Sequence, residues 1–423
     1  MELREGSDEE VLSRRDLLVG AAGAIGVAVV AGLPGIAAGQ QGAKPSLAPA
    51  PIPEDPTKLQ GAPTSAVGTR SQFFAPARTP TGLTTGSSLT PLQDLSGTIT
   101  PADVHFERHH AGIPLLDPAR HSLLVHGLVE RPLSFSVEDI KRFPQVTRVY
   151  FVECSGNGRA AYRDPKPAST AQQVAGLTSN SEWTGVPLRV LFDEAGAKRE
   201  AKWFLAEGGD ACLMTRSIPM EKAADDALIV WAQNGEPLRP AQGYPLRLLL
   251  PGWEGNANVK WLRRLELGTR PWMTRWETSK YTDPLADGTA RQFSFELDAK
   301  SLITSPSFPA TLTRGWRPVS GLAWSGRGKI RRVEVSTDGG KTWADATLHG
   351  PVLDKAHVRF THMWKWEADE ATLLSRATDE TGYVQPTRTQ LIAARGIGTD
   401  YHTNMVCGWK VQGDGRVFFH GET

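Results

Sequence analysis

Between Arg148 and Arg159 the chain reads RVYFVECSGNGR, and Cys154 stands where an apolar run turns into a glycine-rich loop. Gly156 and Gly158 let the backbone approach a ligand closely, and Arg159 supplies a cation that favours the charged sulfur. A thiolate in that setting binds a soft metal or attacks an electrophile. The alternative is a small buried core residue, the ordinary place of a free cysteine.

Other residues with chemistry to offer are cationic. Arg108, His109 and His110 lie together in VHFERHHAGIP (104–114). In an extended segment neighbouring side chains point to opposite faces, so the two imidazoles do not share one metal ion. One of them, with Arg108, suits an anionic ligand instead. Arg247 is embedded in the apolar run YPLRLLLP (244–251), where a charge needs a partner. Lys260 is the one cation of the glycine-rich GWEGNANVKW (252–261). Arg108, Arg247 and Lys260, spaced among such loops, suit a single polyanionic ligand, and the pattern does not say which.

These residues need a scaffold. RVYFV reads as a buried strand, rich in aromatic and β-branched residues. Residues 122–129 and 244–251 read as further strands, as does the ALIVW run within 225–231, which is followed by an Asn234-Gly235 turn. Residues 136–143 read as a short helix with Ser136 as N-cap and Glu138 and Asp139 in its first turn. Residues 181–192 read as a Trp183-bearing loop running into a helix. Strands and short helices without a βαβ rhythm predict a mixed α+β domain. From Thr282 short strands recur at regular spacing, with a hairpin at STDGGKTW (336–343), which predicts an immunoglobulin-like β-sandwich.

With 423 residues, two or three domains are expected. A net charge of +1 gives no polyelectrolyte signature, so nucleic acid is excluded as a natural partner. Residues 1–38 carry SRRDLL (13–18) before an apolar, glycine-rich stretch ending near Ala38, the pattern of a twin-arginine export signal to the periplasm. That route moves folded proteins, commonly ones loaded with a cofactor. Residues 39–91 are rich in Pro, Ala, Thr, Ser and Gly and read as a linker or surface-wrapping arm. The expected domains are then 92–281 and 282–423. Cys154, Cys212 and Cys407 are odd in number, so this is not a disulfide scaffold. No Cys-x-x-Cys-His haem-attachment motif occurs.

Three motifs in order, FERHHAGIP (106–114), ECSGNGR (153–159) and SEWTGVP (181–187), resemble those of the sulfite oxidase family of molybdenum enzymes, in its bacterial sulfane and sulfite dehydrogenase branch. GYPLR (243–247) with VKWL (259–262), and the 336–343 hairpin, extend the resemblance over about residues 90–410. The resemblance implies a molybdopterin-binding α+β core with a dimerising immunoglobulin-like sandwich behind it. It implies Cys154 as the protein's thiolate ligand to molybdenum, and His110, Asp210, Arg247 and Lys260 as the holders of the molybdopterin. Arg108, Arg159 and Arg395 match the cationic pocket for a sulfur oxyanion, Trp183 its aromatic wall and Tyr281 the active-site tyrosine. Two departures stand out: Gln242 where the animal enzymes carry a histidine, and a shorter interval between Cys154 and Tyr281. The implied activity is oxidation of carrier-bound sulfane sulfur or sulfite by oxygen-atom transfer from water. Electrons would pass to a separate c-type cytochrome, with a sulfur-carrier protein as a further partner. The competing readings are a dehydrogenase acting on free sulfite without a carrier, a cofactor-free enzyme with Cys154 as nucleophile and His109 or His110 as base, and a structural sandwich protein that binds partners.

Overall fold

A computed structural model describes residues 55–285 and 287–423. The export signal expected at 1–38 lies outside them. Arg70–Thr423 forms one compact unit. No helix among the described residues is long and apolar enough to cross a membrane.

Strands dominate, as the reading of a mixed α+β chain predicts. In one five-stranded sheet Thr178–Pro187 lies between Val146–Glu153 and Leu228–Gln233, with Glu236–Pro237 and Arg247–Leu249 also paired to Leu228–Gln233. In a second, Leu262–Gly268 runs parallel to Ser122–Gly127 and antiparallel to Trp203–Gly208, and Leu133–Ser136 and Thr215–Pro219 form the edges. Short helices cover them. Val137–Lys141 starts at the expected cap: Ser136 Oγ accepts from the Asp139 amide, and the Asp139 carboxylate accepts in return from the Ser136 amide. Leu188–Ala195 buries Leu188, Leu191, Phe192 and Ala195, one stripe at helical spacing, against Leu123, Phe204 and Leu248.

Two local expectations are corrected. The stretch around Trp183 is not a loop but the middle of a strand, and the helix begins only at Leu188. Order also begins before Leu92: Thr79–Gly82 and Gly86–Leu89 form a hairpin whose second strand pairs with Glu107–His109, opposing Ser87 to Arg108. Backbone ladder bonds hold this hairpin, so the scarcity of bulky apolar residues that suggested a linker does not prevent it.

The second half is a β-sandwich. One sheet has the order Lys300–Ser305, Gly315–Trp324, Val358–Trp366, Thr347–His349; the other runs Ala344–Asp345, Ile330–Ser336, Ala371–Asp379, Gly408–Val411, Val417–His420. At the expected 336–343 turn, Asp338 accepts from the Thr342 amide at 2.9 Å and its hydroxyl at 2.6 Å. The sandwich core of Val319, Phe360 and Trp409 is continuous with Phe151, Tyr162 and Val174 of the first half.

Candidate active site

Segments distant in sequence deliver their polar residues to one place. His110 follows the strand Glu107–His109, and Cys154 follows the strand ending at Glu153. Asp210 lies in the turn after Trp203–Gly208, Arg247 opens a short strand, and Lys260 and Trp261 precede Leu262–Gly268. Tyr281 follows the one-turn helix Arg275–Thr278. Arg108, His110, Cys154, Asp210, Arg247, Lys260 and Tyr281 all line one cavity, the concave, part-apolar setting in which small molecules and cofactors are held. Trp261 and Tyr281 take left-handed backbone, φ +52° and +50°, a strained conformation that concentrates at functional sites.

The other candidates stand back from that lining. Arg159 Nη1 is 3.0 Å from Asp400 Oδ1, and its Nη2 lies beside Gly156 of the cysteine loop. Arg395, at the end of the helix Arg388–Arg395, pairs with Asp298 at 3.4 Å. Trp183 is fully buried: its Nε1 donates to the Tyr150 carbonyl, and the Arg247 guanidinium lies 5.1 Å over its ring. As read from the sequence, the adjacent histidines diverge. His109 Nδ1 bonds Lys260 Nζ at 2.8 Å, whereas His110 Nε2 bonds the Tyr281 hydroxyl at 2.7 Å.

The charges are one-sided. Arg247 Nη1 donates to the Gln242 carbonyl (3.2 Å) and its side-chain Oε1 (3.5 Å), and Nη2 to the Asn258 carbonyl (3.3 Å). Lys260 Nζ donates to the carbonyls of Ala241 (3.0 Å) and Arg108 (3.2 Å) besides His109. Neither has a carboxylate within salt-bridge distance among the described residues. Arg108 likewise donates to the carbonyls of Gly86 and His109. Burial, reinforced by Arg247, holds the Lys260 ammonium well below its ordinary range, and burial pushes Arg247 down to about 9. Burial and then Arg108 lower His110 to about 4, so its imidazole is neutral at pH 7. Burial raises the Cys154 thiol, against the pull of Arg108 and Arg159, and raises the Tyr281 phenol well above its usual range.

Such a cavity asks for an anion. Buried cations without acids are costly unless a ligand supplies the countercharge. Three further polar atoms of lining residues, His105 Nε2, Arg247 Nε and Asn256 Oδ1, are buried without a hydrogen-bond partner and are free for a polar ligand. A phosphate-bearing organic cofactor fits this donor set, and the thiol of Cys154 in the same wall suits a soft metal carried by it.

One cluster escaped the sequence reading. Arg216, fully buried, donates to Glu254 Oε1 at 3.1 Å and lies 5.2 Å over the Tyr281 ring. Glu254 Oε2 is 3.2 Å from His402 Nε2. Despite its burial, Glu254 is held down to about 2 by Arg216 and His402. These partners are 38 and 148 residues apart in sequence, and no local pattern connects them.

The fold and this cavity define a protein built to hold an anionic organic ligand beside a cysteine. Comparison with known proteins makes the class specific. Residues 110–276 match the sequence profile of the oxidoreductase molybdopterin-binding domain, and residues 291–407 match that of the Mo-co oxidoreductase dimerisation domain. The chain is 31% identical over 315 residues to chicken sulfite oxidase, covering 68% of each protein, and 31% identical to rat mitochondrial sulfite oxidase. It is 32% identical over 330 residues to the NADH nitrate reductase of Solanum lycopersicum, covering 36% of that protein. The crystal structure of the sulfane dehydrogenase SoxCD from Paracoccus pantotrophus superposes with a TM-score of 0.83 at 44% identity, covering 87% of this chain and 99% of that one. The chain belongs to the sulfite oxidase family of molybdopterin oxidoreductases. It spans 57% of the length of the rat enzyme.

Proposed function

We propose that the protein is a molybdenum-dependent oxidoreductase that oxidises a sulfur substrate, sulfane sulfur on a carrier protein or sulfite, and delivers the electrons to a c-type cytochrome. The observation that carries this reading is the meeting of Cys154 with two acid-free buried cations, Arg247 and Lys260, in one cavity. Cys154 would bind the metal as a thiolate, and Lys260, Arg247, His110 and Asp210 would hold the pterin and its phosphate. When bound, the cofactor supplies the two-electron oxygen-transfer chemistry. For each oxygen gained the sulfur loses two electrons, the oxygen comes from water, and two protons are released.

The chain's own residues receive and orient the substrate. Arg108 lines the cavity with no acid within salt-bridge distance among the described residues, so its charge would serve an incoming sulfur oxyanion, whereas Arg159 and Arg395 share theirs with Asp400 and Asp298. Tyr281, fixed by neutral His110 through its hydroxyl and by Arg216 across its ring, offers a hydrogen bond at the same place. Trp183 acts from beneath, by backing Arg247.

The 44% identity to a sulfane dehydrogenase favours carrier-bound sulfane sulfur. The 31% identity to sulfite oxidases supports free sulfite as the second reading. Export to the periplasm through SRRDLL (13–18) and pairing of two chains through residues 282–423 complete the proposal. Metal and pterin analysis of the exported protein is the first test, with about one molybdenum per chain expected. Turnover with sulfite and with a sulfane-loaded carrier then separates the two substrates. Cys154→Ser abolishes turnover on either substrate; wild-type turnover in that variant would overturn the assignment.

A further inference from the structure

Cys154, immediately past the strand end, lines the cavity, whereas its neighbour Glu153 does not. The Glu153 carboxylate is 1% exposed and both of its oxygens accept hydrogen bonds. Its Oε1 accepts from Lys300 Nζ at 2.6 Å and Asn157 Nδ2 at 2.8 Å, and its Oε2 accepts from Trp324 Nε1 at 2.7 Å. Lys300 and Trp324 belong to paired strands of the β-sandwich, not to the molybdopterin-binding half. The same loop is grasped again further on. The Ser155 carbonyl accepts from the His402 amide at 2.8 Å, and the Asn157 carbonyl accepts from Lys300 Nζ at 3.3 Å and Thr403 Oγ1 at 3.0 Å. Within the loop, the Asn157 amide donates to the Cys154 carbonyl, and the Cys154 amide to that of Leu177, both at 2.9 Å.

We propose that Lys300 and Trp324 are positioning residues for the cysteine ligand, so that the sandwich sets the direction of the Cys154 sulfur as well as offering a dimer surface. The inference rests on the reading of Cys154 as the metal's thiolate. Its physical basis is that a buried carboxylate with both oxygens engaged by donors has one favourable geometry. Losing a donor lets Glu153 rotate, and the loop bearing the sulfur moves with it. A misplacement of about 1 Å at a reacting centre costs up to roughly 10²-fold in rate.

The test uses the full-length cofactor-loaded protein and three variants: Trp324→Phe, Lys300→Met and the conservative Lys300→Arg. Val319→Ala, a cavity in the sandwich core, is the control for lost stability. Three quantities are read: the paramagnetic resonance g-values of the one-electron-reduced centre, kcat, and hydrogen exchange at the Cys154 and Asn157 amides. Trp324→Phe and Lys300→Met are expected to shift the g-values, lower kcat about tenfold to 10²-fold and speed exchange in the loop. Lys300→Arg stays close to wild type, and Val319→Ala lowers Tm with an unchanged spectrum. Wild-type g-values, kcat and loop exchange in Trp324→Phe and Lys300→Met would overturn the proposal, as would an equal spectral shift in Val319→Ala. If Lys300→Met does not fold, Trp324→Phe decides. Wild-type protein without molybdenum would refute the metal reading, and loop exchange in the variants would still decide whether the sandwich holds the cysteine.

Discussion

Lys260 carries a prediction in which two observables move in opposite directions. Among the described residues its ammonium touches only carbonyls, the His109 imidazole and the Trp261 ring, 4.4 Å away. Burial and the neighbouring Arg247 guanidinium make its charged form costly before an anion arrives. Lys260→Met keeps the length of the side chain and removes the charge. Removing a buried charge that the fold disfavours stabilises by about 1.4 kcal/mol for each pH unit by which its pKa is lowered, so the cofactor-free variant melts higher, at roughly 2 °C per kcal/mol. The same change removes a charge-assisted hydrogen bond to the ligand, worth about 1.5–3 kcal/mol, or about 10- to 150-fold in affinity. Cofactor-free protein is melted by calorimetry, and molybdenum and pterin are measured after limited reloading. The pH dependence has a fixed sign. A lysine whose folded pKa lies below its unfolded value of about 10.4 binds its proton more tightly in the unfolded chain, so stability rises with pH between the two values. The advantage of Lys260→Met is therefore full below the folded pKa and vanishes towards pH 10.4. A variant that melts lower and reloads like wild type would refute the claim that this lysine waits for an anion.

Three further outcomes follow from the same geometry. Arg108→Gln, whose guanidinium has no acidic partner among the described residues, raises KM for the sulfur oxyanion by about 10- to 150-fold with Tm nearly unchanged; steady-state kinetics and a melt check both halves. Arg216→Leu strands the buried Glu254 and costs about 3–5 kcal/mol, and Arg216→Leu with Glu254→Leu recovers part of it; denaturant titration of the single and double variants reads the difference. His357, stacked on Phe151, tilted against Trp324 and lowered by burial to about 3, binds its proton only on unfolding. It therefore contributes a stability that is full above pH 6.5 and is lost on acidification towards pH 3, at up to about 1.4 kcal/mol per pH unit; His357→Gln removes that slope from a pH series of denaturation curves.

What the sequence disclosed and what it hid divide along a physical line. The cations were legible because each is anomalous where it stands: Arg247 in an apolar run, Lys260 in a glycine-rich loop. An isolated charge in such a place announces a missing partner, and among the described residues no acid supplies it within salt-bridge distance. Ser136 was legible because its cap is closed within three residues. Trp183 was misplaced because the strand Thr178–Pro187 is polar, with Ser179, Asn180 and Ser181 all fully buried. Its order comes from partners far along the chain: Ser179 Oγ bonds Thr90 Oγ1 at 2.7 Å, and Gln233 Nε2 donates to Ser181 Oγ at 2.9 Å. Propensity is silent when the bonds that decide a strand are tertiary. Glu153 shows the same limit inside the most recognisable motif of the chain. Beside Cys154 it reads as one more acid, yet its donors Lys300 and Trp324 are 147 and 171 residues away. The groups that contact ligand can be read from local anomaly, whereas the groups that aim them depend on contacts that exist only once both halves have folded together. A variant series confined to the cysteine motif would therefore find the residue that binds and miss the ones that hold it in place.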